Sequence, residues 1–578
     1  MVGSVVNKLP AISHQNQFKK ASALVAATVL CLLVKPAASE PWQNLTQPIG
    51  TLLINPPESA LVVNQYLATL DPNITPATYP FALTTDVTKI QTTQMLYFVR
   101  VYNEAAGSFP VGSWIMRASE ARGLTPAQIR NIQALPSTPT HFTFVKVPAG
   151  VVMYTGVAGA IDGWGEGGAT QSKMMGPPFV PVANFTNRQL IGDCFLCYRV
   201  LAPTGNANQV AQALDRGTPM PYSSLDTVYD NLDMLYAPAL AGSFQAALES
   251  LSGEAATASQ TVAFGSMSSF TDAIGWQMNR WLYQPGQDRQ AAQKDNSRLW
   301  ASLTGTRFTV DGSNGSATVS GSGAGLALGA TRQIDPRTLV GWSVGATSSS
   351  FDVSARASSG TFNSINLALY GIRTFDQAYV SGTLVYGFGY TELDRAVTVN
   401  ELSSEQSGSV GTNMLSARLE AGYRLRLHPV DVTPFVAVEP AWIGQGSFSE
   451  TIKNPQRDTI NLGLDYQGQD VTSFPLSLGV ALNAEVALAN GWVVNPLVRV
   501  AWIHEFNTTR QLDASLQLLP DESFTVYGAS VPKDMAKVTL GLSARSKDGV
   551  TAFLGISGDF SGQGNAFIAR AGLSIALP

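Results

Sequence analysis

Gly163, Gly165 and Gly168 spell G-x-G-x-x-G inside the run VVMYTGVAGAIDGWGEGGATQ, Val151 to Gln171. In a dinucleotide fold such glycines open a helix whose N-terminal amides hold the pyrophosphate. Here the chain continues ATQSKMMGPPFVP, and Pro177, Pro178 and Pro181 forbid a long helix. No Lys-Ser or Lys-Thr follows, which excludes a P-loop. The run is therefore expected to be a strand leading into a glycine-rich turn, with Asp162 and Glu166 as solvated loop acids. His141 is the only histidine between residues 40 and 297. A Ser–His–Asp mechanism in that region would have to use it, yet no serine there lies in G-x-S-x-G, G-D-S-L or G-D-S-G. Cys194 and Cys197, in GDCFLCYR, fit a redox pair, half of a zinc site or a small local disulfide. No second pair and no nearby histidine completes a zinc site, so the local disulfide is the reading taken. No cofactor or metal is assigned.

The elements that position these residues begin with the address of the chain. Lys19 and Lys20 precede ASALVAATVLCLLV, and KPAASE follows with small residues at Ala37, Ala38 and Ser39. A basic segment, a short apolar run and a small-residue cleavage site predict an export signal over residues 1–39. TVLC lacks the small residue expected before a lipid-modified cysteine, so Cys31 is not read as a lipoprotein anchor. The 578 residues exceed one ordinary core, and a net charge of -5 argues against nucleic acid as a partner. Only 13% of residues are charged, and no apolar run in the mature chain reaches the length of a membrane-spanning helix.

From about Arg298 the pattern changes to long period-two alternation broken by Gly, Asp, Asn and Ser turns. In LSARLEAGYRLRL one face carries Leu415, Ala417, Leu419, Ala421, Tyr423, Leu425 and Leu427. The other carries Arg418, Glu420, Arg424 and Arg426. AKVTLGLSAR repeats this, with Val538, Leu540, Leu542 and Ala544 opposite Lys537, Thr539, Ser543 and Arg545. The segments are longer than most strands of soluble sheets, which suits tilted strands crossing an apolar slab around a polar lumen. Counting them to Leu577 gives about twelve, an even number as such barrels need. Pro496 falls mid-strand, where its missing N–H requires a local break in the ladder.

The end of the chain, FTVYGASVPKDMAKVTLGLSARSKDGVTAFLGISGDFSGQGNAFIARAGLSIAL, resembles the last strands of the autotransporter β-domain. The resemblance covers nearly all of 298–578. It implies a transmembrane antiparallel β-barrel of about twelve strands that inserts in the bacterial outer membrane and accompanies export of its own passenger. Phe567, Leu573, Ile575 and Leu577 would form the strand read by the insertion machinery, although Pro578 stands where the family usually ends on an aromatic residue. Residues 223–297 are alanine-rich and helix-patterned, and AALESLSGEAATASQTVAF is similar to the family's pre-barrel segment. That implies a helix threading or capping the pore, with Ser269, Ala273 and Gly275 small enough to fit a lumen.

Residues 40–222 are left as a small α+β passenger. MLYFVRVY and HFTFVKV read as strands, TPAQIRNIQAL as a helix capped by Thr125 with Gln128 closing the box, and a second helix is expected from about Asn206 to before Gly217. GSWIMR, QALP, VPAG and GWGEGGATQ, in that order, are similar to NAD-glycohydrolase toxin domains. Mapped by motif, Gln171 would line a nicotinamide pocket and Arg117 would face phosphate, while Gln133 stands where that family has arginine. The sequence thus describes an outer-membrane autotransporter displaying a passenger for an unidentified surface or host ligand. An NAD-glycohydrolase-like passenger is the alternative, and a porin-like channel with a periplasmic N-domain the third reading. Asn296, just before the barrel, is a candidate cleavage site for release of the passenger.

Overall fold

The computed structural model describes residues 50–54, 56–283, 297–489, 491–547 and 549–577. The expected signal (1–39), Cys31, Asn296 and Pro578 lie outside them.

The region expected to be the passenger is built on two antiparallel sheets. In the first, Gly50–Leu52, Asp86–Thr92, Val152–Val157, Thr170–Met175 and Trp114–Ile115 pair in that order, with Glu58–Ser59 also on Asp86–Thr92. The second joins Leu96–Tyr102, His141–Val147 and Phe185–Leu190. Helix α1 (Ala60–Leu70) seals one face of the first sheet through Ala60, Val63 and Leu67, packed with Phe81 and Tyr154. Helix α2 (Pro126–Ile132) starts where its sequence says it should. The Thr125 hydroxyl accepts from the Gln128 amide, and the Gln128 side chain accepts from Thr125 N–H, closing the expected box. The single turn α3 (Tyr198–Leu201) leads to α4 (Gly205–Arg216), at the expected position.

The glycine run behaves as its prolines dictate. Strand Val152–Val157 ends in a turn where Gly163, Gly167 and Gly168 take positive φ, and the next element is the strand Thr170–Met175. A Cβ on Gly165 would stand 2.4 Å from the Asn131 carbonyl oxygen, so this glycine serves close packing against the end of α2. No helix opens there.

Three further helices follow: α5 (Ser224–Leu235), α6 (Ala241–Ser252) and the 25-residue α7 (Ala258–Leu282). Then twelve antiparallel strands close into a barrel, the last (Gly564–Ala576) pairing with the first (Ser297–Val310). Turns of a few residues at one rim (336–337, 376–377) contrast with long excursions at the other. The excursions between residues 446 and 468 and between 506 and 533 contribute a four-stranded sheet outside the barrel wall. The break expected at Pro496 is present, since pairing to the preceding strand lapses between Asn483↔Leu497 and Val486↔Val494.

The barrel wall is inverted relative to a soluble sheet. Along Ala378–Val399, Val380, Leu384, Tyr386, Phe388 and Tyr390 are exposed, whereas Ser381, Thr383 and Thr391 are buried. Leu415, Leu419, Tyr423, Leu425 and Leu427 likewise point outward, with Glu420 and Arg424 inside. Only an apolar solvent makes such an arrangement favourable, because every outward leucine in water would cost what its burial normally gains.

Candidate functional site

The site is the barrel lumen and the seat above it. Helix α7 runs through the lumen. At its start the Gln260 amide donates to the Gln511 carbonyl (2.8 Å), and at its end Arg424 Nη1 donates to the Leu282 carbonyl (2.6 Å). Of the expected small residues, Ser269 and Ala273 are buried and Gly275 is half-buried. Midway, Ser266 Oγ shares a hydroxyl cluster with Thr347 Oγ1 (2.6 Å) and Ser364 Oγ (3.0 Å).

One large side chain on this helix has a made-to-measure recess. Trp276 enters the wall where Gly541 and Gly555 face each other on neighbouring strands. A Cβ on Gly541 would lie 1.7 Å from the indole, and one on Gly555 2.5 Å. Phe553 stacks on the ring with centroids 6.3 Å apart. Phe270 uses Gly345 in the same way, at 2.5 Å.

Beside the helix a cavity of about 330 Å³ remains, with charges of both signs on its wall. Asp272 of α7 pairs with Lys537 at 2.8 Å. Glu420 takes both Arg418 and Arg499 at 2.9 Å, and Tyr379 donates to it at 2.8 Å. The Asp272–Lys537 pair joins α7 to the wall; a paired buried charge adds little net stability but tolerates few alternative positions, so this pair fixes where the helix sits.

Above the lumen, helices α4 to α6 join passenger to barrel. Arg395, near a strand tip, makes a two-pronged pair with Glu450 (2.7 Å for both bonds) and donates to the Ser250 carbonyl of α6 at 2.7 Å. Asn206 of α4 donates to the Tyr527 carbonyl (2.7 Å) and accepts from its N–H (2.9 Å). Arg356 reaches Glu249 and Glu254, both at 2.8 Å.

The sequence candidates of the passenger are placed as follows. Gln171 lies on strand Thr170–Met175 and donates to the Pro80 carbonyl at 2.7 Å. Arg117 is buried, and its guanidinium is held by Asp226 (2.5 Å), Asp230 (2.9 Å) and the Tyr97 carbonyl. Its charge is thereby matched within the protein. Gln133 is buried too and donates to the Thr170 carbonyl at 3.3 Å. Cys194 and Cys197 stand with Cα atoms 5.7 Å apart, within disulfide range. His141 stacks on Tyr102 and contacts the Thr140 hydroxyl at 2.9 Å. Asp162 and Glu166 are exposed on the glycine turn. Phe567, Leu573 and Ile575 face outward on the closing strand, and Leu577 N–H bonds to the Ser297 carbonyl at 2.9 Å.

What the sequence reading missed is the latch around Arg117. Asp226, Asp230 and Asp233 lie on one face of α5, and Asp233 pairs with Arg122 at 2.6 Å. Acids spaced i, i+4 and i+7 among apolar residues were the available signal. Burial pushes Asp230 up to about 8, Arg117 opposes this, and Asp226 and Asp233 add to it. A carboxyl raised in the folded state stabilises most below its unfolded value, and that contribution is lost as pH rises through the folded value. The unfolding temperature of the passenger should therefore fall by several degrees between about pH 5 and pH 8. In Asp230→Asn this part of the drift should vanish; an unchanged profile by thermal melting would refute the assignment.

Residues 299–557 match the family described as the autotransporter β-domain. This segment is an autotransporter β-domain. The protein is accordingly a bacterial outer-membrane protein of the type V secretion class with a surface-exposed passenger, and its β-domain is the translocator unit. Among the described residues no helix is long and apolar enough to cross a membrane. The chain is similar to the esterase EstA of Pseudomonas aeruginosa and that of Pseudomonas putida, 23% identical over 246 residues in each case. That alignment takes in 42% of this chain and spans about a third (36%) of the relatives' length. Among solved structures, the translocator domain of autotransporter NalP from Neisseria meningitidis aligns over 54% of this chain and 98% of its own, at 15% identity and a TM-score of 0.40. The beta domain of the Bordetella autotransporter Brka aligns over 49% and 100%, at 17% identity and a TM-score of 0.34. The autotransporter β-domain here encloses its own pre-barrel helix, and α4 to α6 sit on its long-loop rim.

Proposed function

We propose that this autotransporter displays a passenger that stays seated on its own barrel and meets a surface or host ligand there. One observation carries the reading. A single apolar core runs without interruption from passenger residues Val99, Phe142 and Phe195 through Tyr198, Leu214 and Leu248 to barrel-side Leu393, Leu512, Phe524 and Val526. A passenger built for release would leave behind a rim complete without it, whereas here separation would bare apolar surface on both parts. Membrane lipid and the outer-membrane insertion machinery fit the barrel as partners.

An antibody against the passenger should find it on washed cells, accessible to added protease, with little in the medium. A free passenger fragment accumulating in the medium would refute retention.

A further inference from the structure

The passenger carries a second arrangement of chemical groups, away from the glycine turn. Lys173 Nζ lies 2.7 Å from Ser113 Oγ. The two residues come from different strands of the first sheet: Ser113 immediately precedes Trp114–Ile115, and Lys173 is the cross-strand partner of Trp114. Both are half-buried, and the neighbouring Trp114 packs against the apolar cluster under α1. The lysine side chain is confined as well, since its Nζ sits over the Trp114 ring at 4.9 Å.

We propose that Ser113 and Lys173 form a nucleophile–base pair that transfers the acyl group of apolar esters to water. Ser113 Oγ attacks the ester carbonyl carbon while its proton passes to the neutral Lys173 amine. The tetrahedral oxyanion then collapses, the C–O bond to the alcohol breaks, and the leaving alkoxide takes the proton back from Lys173. Water, deprotonated by the same amine, attacks the acyl–Ser113 ester and releases the carboxylic acid and the free hydroxyl.

The surroundings fit each need of that sequence. A base must be neutral to accept a proton, and burial lowers Lys173 from the ordinary lysine range, with Asp71 opposing and Arg100 assisting. The Arg100 guanidinium packs on Gly112, where any Cβ would stand 2.4 Å away, and so holds a fixed positive charge one residue from the nucleophile. Three bonds secure it: to the Phe109 carbonyl (2.8 Å), the Trp114 carbonyl (3.0 Å) and the Ser108 hydroxyl (3.3 Å). A fixed charge of this kind favours a developing oxyanion. The loop before Ser113 exposes Phe109 (59%) and Val111 (43%), an apolar lip suited to an acyl chain and poorly suited to a charged substrate. The serine motifs sought in the sequence require neighbours along the chain, and this pair is separated by 60 residues.

The test uses the purified full chain in detergent, a biotinylated fluorophosphonate and p-nitrophenyl butyrate. The phosphonate should form an adduct on the peptide containing Ser113, and the ester should be hydrolysed above the detergent blank. Ser113→Ala, which removes one oxygen, should abolish both, and Lys173→Met should lower both by about 10²–10⁴-fold. The hydrolysis rate should rise with pH through an inflection below the ordinary lysine range, and Lys173→Met should lack it. His141→Ala should keep both activities. No adduct on Ser113, full activity in Ser113→Ala, or loss in His141→Ala would overturn the proposal. If Lys173→Met does not fold, the Ser113→Ala comparison and the adduct site decide it.

Discussion

Gly541→Leu is expected to drive α7 out of its seat. The recess for Trp276 exists only because Gly541 and Gly555 present no side chain, and a Cβ at position 541 would already overlap the indole at 1.7 Å. Overpacking a formed interior costs about 1–3 kcal/mol, and a rigid ring against barrel backbone belongs at the upper end or beyond. The helix cannot slide to escape. Asp272 is held by Lys537, and Ser266 by Thr347 and Ser364. The measurable result is a lower unfolding temperature of the barrel in detergent and a larger conductance in planar bilayers, since the lumen loses its filling. Trp276→Ala alone should be milder, and combined with Gly541→Leu it should restore much of what the leucine costs. A double variant no better than Gly541→Leu alone would show that the two sites do not interact.

Arg395→Met should have the second large effect, and at the other end of the helix. Arg395 and Glu450 are almost wholly buried, at 3% and 1% exposure. Removing the guanidinium leaves Glu450 with the Leu464 N–H (3.0 Å) and the Tyr466 hydroxyl (3.2 Å), but no opposite charge. Breaking one partner of such a pair costs about 3–5 kcal/mol. The Ser250 carbonyl loses its donor in the same step, so the damage falls on the junction between α6 and the barrel. Limited proteolysis of the folded protein should then cut within 205–252 at doses the wild type resists, while the barrel keeps its heat-modifiable mobility. Arg395→Lys, which keeps the charge and loses the fork, should lie between the two. Equal resistance in all three would remove the junction from any role in seating the passenger.

The reasons some features were legible in sequence and others were not are physical. Strand alternation is a local property, so Leu415 to Leu427 and Val538 to Ala544 declared their faces before any contact was known. Length and composition then settled which face meets lipid. The cap at Thr125 and Gln128 is equally local, a matter of three residues. The G-x-G-x-x-G shows the limit of spacing. Its glycines serve a turn and a close approach to Asn131, roles that share a residue type with phosphate binding and nothing else. Arg117 was visible as a chemical group, but its partners lie more than a hundred residues away on α5. The recess for Trp276 is formed by glycines on two neighbouring strands of the barrel, where a glycine in an alternating run looks like any small lumen residue. Contacts of that kind exist only once the barrel has closed.

The most direct measurement is a covalent one across the lumen. Ser266 of α7 and Ser364 of the wall place their hydroxyls 3.0 Å apart. Cysteines at both positions, in the full chain isolated with the outer membrane, should join in a disulfide that changes mobility on a non-reducing gel and disappears on reduction. Either cysteine alone should leave mobility unchanged. Failure of the pair to cross-link in a folded, heat-modifiable barrel would contradict a helix threaded through the lumen, and with it the seat on which the passenger rests.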